Sequence, residues 1–428
     1  MTTLAMAGRD SRVGTLTTFS AVVGFYFAFR LVSVVIAVRL LDADPQLGVA
    51  ASLAINYLIL LGAGLLSFGP GLRTWSWFNS VGSFRWSLAF LAFSGCSLLW
   101  TSSVSVSAAA AFWLAMTCDF TIVVLLLRIG SVEQTASALM HGYVWGVCAT
   151  GAIAWILPAQ SDLRLGDEDY LGPNQIGFAC AFAFFFAQYL IRRGSKGLIG
   201  PSVFFTITML RSLSKTTIIA FVAGQFLLLI RDRSLSAKAK MYVACSASLI
   251  IALFWGLFAA YYDVYTHAGN QSETLTGRIG IWAFILNEAL RQPWIGHGFH
   301  SVWKVIPPFG PFEARHAHNE LLQQFYAYGV VGVGLVTMLY ANVYREIRRA
   351  RTESRSEPFQ PIFLALFVFI LVRGLADTEV FDLSLPLWAI ALIGSLIANR
   401  GASTEGCKNG ARSGYLKAPM DRSEVQAQ

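Results

Sequence analysis

The sequence predicts an all-α, polytopic membrane protein with about twelve transmembrane helices and one large periplasmic loop carrying amphipathic helices. Three observations predict it. Of 428 residues, 55% are hydrophobic and only 13% charged, with a mean hydropathy of +0.57, which is too apolar for a soluble chain of this length. Apolar runs long enough to cross a bilayer recur along most of the chain. The basic residues, which give a net charge of +8, fall in short clusters between alternate runs. That is the positive-inside bias of a membrane protein, not the basic face of a nucleic-acid binder, so lipid is the expected surroundings and nucleic acid is not an expected partner.

A short N-terminal segment, 1–18, is expected in the cytoplasm. Nine runs follow within 19–260: 19–38, 47–68, 87–103, 108–127, 136–157, 175–191, 203–210, 216–230 and 241–260. The first lacks a small-residue cleavage site, so it reads as a span and not a cleaved leader. Segment 261–327 is an extramembrane loop, and three more runs, 330–344, 359–372 and 383–398, lie within 328–399. The polar stretch 400–428 reads as a disordered cytoplasmic tail. No internal repeat is evident, which disfavours the repeat-built transporters that are the rival class. That class also calls for ionisable residues deep in several spans, where Arg30 and Arg373 are the main candidates.

Charge sets the orientation. Arg9 and Arg12, Arg73 and Arg85, Arg128, Arg192 with Arg193 and Lys196, Arg231 to Lys240, Arg345 to Arg355 and the tail all occupy alternate connections, so they belong inside. The remaining connections, including the acidic stretches 162–169 and 377–382, then lie outside, as does loop 261–327. Arg39 is an outer cation, followed closely by Asp42 and Asp44. Asp167-Glu168-Asp169 has the look of a cation-binding cluster, but a solvated outer loop is the simpler expectation. Five of the six cysteines (Cys96, Cys118, Cys148, Cys180 and Cys245) sit in apolar runs and Cys407 in the tail, which argues against a disulfide framework or a thiolate metal site.

The loop concentrates the chemistry. Arg278 opens a helix with Ile279, Trp282, Ala283, Leu286 and Leu290 at helical spacing, ended by Pro293. This helix is expected on the membrane surface, with that face in lipid or against the bundle. Near a helix N-terminus, Arg278 suits an anion; an arginine snorkelling to lipid head groups is the plainer reading. Two glycines in Trp294-Ile295-Gly296-His297-Gly298-Phe299 point to a tight structural turn. Arg315-His316-Ala317-His318-Asn319-Glu320 is expected to begin a second amphipathic helix. His316 and Glu320, four apart, would share a face as metal ligands, but no third ligand has a suggestive spacing, and a histidine held by an adjacent amide suits a general base.

Between 203–210 and 216–230, Arg211-Ser212-Leu213-Ser214-Lys215-Thr216 breaks the apolar sequence. Two cations and three hydroxyls between such short runs are expensive unless they face a polar cavity, and they would attract a diphosphate.

These pieces together resemble the O-antigen ligase and polymerase superfamily of bacterial membrane glycosyltransferases, over roughly 93–399. The resemblance is carried by Gly277-Arg278 with Trp282, Pro293 to Gly298, His316 to Asn319 with Leu322, and Tyr328-Gly329 with Gly332. Ser97 to Thr101, Gly172 to Gly177 and Ser214-Lys215-Thr216 support it. It implies an enzyme of the inner membrane, acting on the periplasmic face without metal or other cofactor. The implied reaction moves a glycan from undecaprenyl diphosphate to a hydroxyl of a glycan or lipid A core acceptor. By resemblance, Arg278 and the Ser-Lys-Thr cation hold the diphosphate, and His318 acts at the acceptor. Lys215 stands where many relatives carry arginine, so Arg211 shares the candidacy. Ser214, His316, Asn319 and Asn174 complete the expected substrate contacts, although helix capping explains Asn174 equally well. The chemistry agrees: a diphosphate leaving group needs charge neutralisation, which a guanidinium supplies, and a sugar hydroxyl needs a base. A single displacement inverts the anomeric carbon. Within the superfamily, the motifs lean towards an exopolysaccharide or O-antigen polymerase, with a ligase as the alternative.

Overall fold

Among the described residues, most of each apolar run expected to cross the bilayer is helical in a computed structural model of the chain. The structure describes residues 2–399 apart from 69–71, 159, 161–163, 168, 233–234, 254, 257–258, 261, 264–274, 304, 307–314, 354–358 and 379–382. The tail expected to be disordered lies outside the described residues, as do Glu168 and parts of the 162–169 and 377–382 stretches and of loop 261–327. In chain order the main helices are α1 (Thr2–Phe29), α2 (Pro45–Leu66), α3 (Gly82–Cys96), α4 (Val106–Ile129), α5 (Val132–Ile156), α6 (Pro173–Arg192), α7 (Ile199–Arg211), α8 (Lys215–Arg231), α9 (Ala237–Leu253), α10 (Leu275–Ala289), α11 (Glu320–Glu353), α12 (Gln360–Gly374) and α13 (Leu387–Asn399). α1 already runs from Thr2, so the N-terminal segment continues the helix of the first span. Six helices are long and apolar enough to cross a bilayer, and with a single bridge, Asp167 to Leu171, as the β-type pairing among the described residues, the chain is an all-α multi-pass membrane protein.

Local chemistry explains the boundaries. Asp44 caps α2 through the Gln46 amide at 2.7 Å, with Pro45 at the first helical position, and Ser105 caps α4 through Ala108. α1 and α5 pack backbone to backbone: a Cβ added at Gly24 would meet the Leu139 carbonyl, and one at Gly142 the Ala21 carbonyl. Small residues of this kind drive helix association where lipid removes the hydrophobic incentive.

The connections sort to two ends as the charge pattern requires. At one end the Arg73 amide donates to the Arg128 carbonyl at 3.0 Å, Arg193 pairs with Glu133 at 2.9 Å, and Glu346 accepts from Ser83. At the other, Ser97 accepts from the Phe299 amide, and Arg315 donates to the Asp169 carbonyl. Within the bundle, Arg30 is neutralised by Asp119 at 2.6 Å, which also accepts from Asn56. A paired, hydrogen-bonded ion is the form in which charge is tolerated at membrane depth.

Two local expectations are corrected and a third is refined. The acidic loop is not simply solvated: Asp167 is buried, 2.8 Å from Arg39 Nε, and accepts from the amides of Asp169 and Tyr170. α10 buries Ile281, Ile285 and Ala289 against Ala317 and Tyr326, whereas Ile279, Leu286 and Leu290 are exposed. Its apolar sequence covers two faces: much of the stripe read from spacing is exposed, compatible with the lipid-facing alternative, while a second apolar face packs inward. α11 begins at Glu320, so His316 and His318 stand in a turn and not on a helix face shared with Glu320.

Candidate active site

Arg278 lies three residues before Ile281, on the face of α10 that packs inward, and this places the guanidinium inside the protein. It is 6% exposed. One nitrogen donates to Thr216 Oγ1 at 3.0 Å and to the carbonyl of Ala376. The start of α8, the start of α10 and the turn after α12 therefore meet on one side chain.

The next residue after Ala376 connects this point to the histidines. Asp377 is buried; its Oδ1 lies 3.3 Å from His318 Nδ1 and its Oδ2 accepts from Arg373 at 3.1 Å. Burial opposes ionisation of Asp377, but the Arg373 guanidinium and the bond from His318 outweigh it and hold the carboxyl well below its usual range. His318 has a φ of 50°, a left-handed conformation that a non-glycine residue keeps only when its surroundings impose it. The surroundings do: its amide donates to His316 Nδ1 at 3.2 Å, Ala317 donates to Gln323, and the Ala317 carbonyl accepts from Trp282 at 3.0 Å. The two imidazole rings are 4.0 Å apart. Burial, with the neighbouring His318, pushes the His316 pKa down to about 3, and Arg373 and Arg278 add to the effect. His316 is therefore neutral at physiological pH.

Asn319 caps α11 by accepting from the Leu322 amide at 3.0 Å, and its amide group donates to the Leu375 carbonyl at 2.9 Å. Both ends of this side chain fasten the turn before α11 to the turn after α12, whatever it offers a substrate. Ser214 donates to Asn174 Oδ1 at 2.8 Å, in a second polar layer below Thr216. Arg211 ends α7 and Lys215 begins α8, both half-exposed at this end of the bundle. Of the expected site residues, the structure thus joins Arg278, His316 and His318 in one cluster through Thr216, Ala376 and Asp377. It joins Ser214, two residues before Thr216, to Asn174 in a separate pair.

The turn after α10 is structural, as its glycines suggest. Gly296 and Gly298 have φ of 63° and 89°, and their segment donates to the carbonyls of Tyr326 and Ala327. Gly329, φ 63°, breaks α11, and the Val330 amide there donates to Pro293 instead. Thr101 and Ser97 hold the same segment through the carbonyl and amide of Phe299.

His316, His318 and Asp377 bring their ligand atoms within 4.8 Å of one another, enough by count for a metal ion. The chemistry disfavours it. The His316 Nδ1 lone pair already accepts an amide proton, and two guanidiniums stand beside the group.

Asp377 and Arg164 were not singled out by the sequence. Asp377 had a signal: it stands four residues after Arg373 at the end of an apolar helix, a spacing that pairs charges where they are hardest to bury. Arg164 had none.

Residues 200–337, which run from α7 through α8, α9 and α10 to the middle of α11, match the family described as O-Antigen ligase. Over that stretch, about a third of its length, the chain is similar to the O-antigen ligase family. It is similar to the exopolysaccharide production protein ExoQ of Rhizobium meliloti, at 22% identity over 328 residues, 71% of this chain and 74% of that protein. It is also similar to an O-antigen ligase of Pseudomonas aeruginosa, at 25% identity over 193 residues, 44% of each chain. The resemblance read from the loop motifs and the Ser-Lys-Thr break is borne out.

Proposed function

We propose that the chain is a membrane glycosyltransferase of surface polysaccharide assembly that moves a glycan from undecaprenyl diphosphate onto an acceptor hydroxyl. The observation that carries this reading is the hydrogen bond between Arg278 and Thr216, with Asp377, one residue beyond Arg278's second acceptor, against His318. Cationic groups from distant parts of the chain converge beside an oriented imidazole.

In this reading Arg278, with Lys215 or Arg211 and the N–H groups that open α8, neutralises the diphosphate as the anomeric bond breaks. Asp377 accepts a hydrogen bond from His318 Nδ1–H, which fixes the tautomer and leaves Nε2 to take the acceptor hydroxyl's proton. The deprotonated oxygen attacks the anomeric carbon from the face opposite the leaving diphosphate, inverting its configuration. No metal is required, because guanidinium groups supply the charge a Lewis acid would. An apolar groove of about 690 Å³ lined by Ile279, Trp282, Leu286, Leu322 and Phe325 opens next to Asn319 and suits the isoprenoid chain of the donor. The reaction belongs at the periplasmic face of the inner membrane, since the loop end is the one poor in basic clusters.

Polymerase is the first reading, supported by the longer match to the exopolysaccharide protein; O-antigen ligase is the second, supported by the family description. Surface glycans of a null strain test both. Loss of chain length with single repeat units still attached supports a polymerase, full-length chains left on the carrier support a ligase, and unchanged glycans contradict both.

A further inference from the structure

The first turn of α8 is aimed from below by a residue outside the site. Arg164, in the outer loop between α5 and α6, is 2% exposed. Its Nε donates to the Ser212 carbonyl at 3.2 Å and a terminal nitrogen donates to Asn174 Oδ1 at 3.2 Å. The same Asn174 oxygen accepts from Ser214. Between the two gripped residues stands Leu213 with φ 54°, a conformation that costs free energy in a branched residue and persists where neighbours impose it. Gly177 on α6 leaves room for the turn: a Cβ there would lie 3.0 Å from both Ser212 Oγ and Ser214 Cβ.

We propose that Arg164 is a positioning residue for the diphosphate end of α8, acting through Ser212 and Asn174 to hold Lys215 and Thr216 in line with Arg278. This rests on the functional reading above. A buried permanent cation is expensive, and this one gives two of its donors to protein oxygens that fix a turn. Its own loop is anchored in turn. Asp167 bridges to Leu171 and pairs with Arg39, beyond the end of α1, so the grip on Ser212 is referred to the main bundle. Arginine's planar fork reaches two acceptors at a fixed angle, which a lysine point charge does not reproduce.

The test is binding of undecaprenyl diphosphate, without sugar, to the full-length protein in nanodiscs, with transfer kinetics alongside. Arg164→Gln should weaken binding by about tenfold and raise the donor KM equally while leaving kcat and the thermal midpoint near wild type. Arg164→Lys should fall between. Asn174→Ala should weaken binding too, and the double variant should be no worse than the weaker single, because both act through one turn. If Arg164→Gln does not fold, Arg164→Lys and Asn174→Ala carry the same comparison. Binding within twofold of wild type in the Arg164 variants, or a loss confined to thermal stability or kcat, overturns the inference. If Arg278→Ala weakens binding but Arg164 variants do not, only this inference falls. If Arg278→Ala binds like wild type, the functional reading falls with it.

Discussion

Arg278 donates a 3.0 Å hydrogen bond to the hydroxyl of Thr216, 62 positions earlier in the chain. Arg278 stands on the inward face of a loop helix, and Thr216 in the first turn of a helix that follows a break in the membrane bundle. Their contact makes the large loop and the bundle parts of one site.

Replacing Arg278 by alanine should lower transfer by about 100-fold or more, the usual loss when a preorganised charge at a developing anion is removed. Arg278→Lys keeps the charge but not the fork, and should recover only part of the rate. Rates with a donor isolated from the producing strain check both. A wild-type rate in Arg278→Ala excludes it from the chemistry.

Asp377→Asn keeps the shape beside His318 but exchanges an acceptor-only carboxylate for an amide. With the tautomer no longer enforced, kcat should fall by about 100-fold or more while donor binding holds. The readout is kcat against KM. A change in KM alone would make Asp377 a structural partner of Arg373 and nothing more.

The fold was largely legible in the sequence, because apolar runs and charge alternation are local signals. The Arg278, His318 and Ser-Lys-Thr positions were legible as motifs. Asp377 and Arg164 were hidden because their meaning lies in contacts across 59 and 48 residues, to His318 and Ser212. The buried face of α10 was not singled out because apolar residues cover more than one side of that helix, and spacing alone cannot choose between two such sides. The turn holding His318 was misread as helix because the left-handed φ of His318 is imposed by tertiary contacts, not by its own propensity.

Acid should destabilise the protein before carboxylates titrate generally. The folded state holds His316 down at about 3 and His300, by burial, at about 4, both below the 6.5 of an unfolded histidine. Between pH 6.5 and those values the unfolded chain binds protons that the folded chain refuses, so stability falls as pH falls. Below 3.8, Asp377 adds to the loss, since its folded carboxyl also ionises more readily than its unfolded one. Thermal midpoints in detergent from pH 7 to 4 should decline, and His316→Asn should flatten the decline. A midpoint constant across that range contradicts the lowered pKa values of these imidazoles.

Gly329→Ala should destabilise the protein by about 1–3 kcal/mol, because the residue has φ 63° and an added Cβ would meet the Trp294 carbonyl. A lowered thermal midpoint with normal insertion checks it. An unchanged midpoint means the α11 break tolerates a side chain.

The most direct test is glycan transfer by His318→Ala, measured beside its binding of undecaprenyl diphosphate in the same vesicles and in the presence of a chelator. The account predicts no detectable transfer by the variant, donor binding within about threefold of wild type, and a wild-type enzyme indifferent to the chelator. Transfer by His318→Ala at the wild-type rate, or loss of wild-type transfer on chelation, would contradict it.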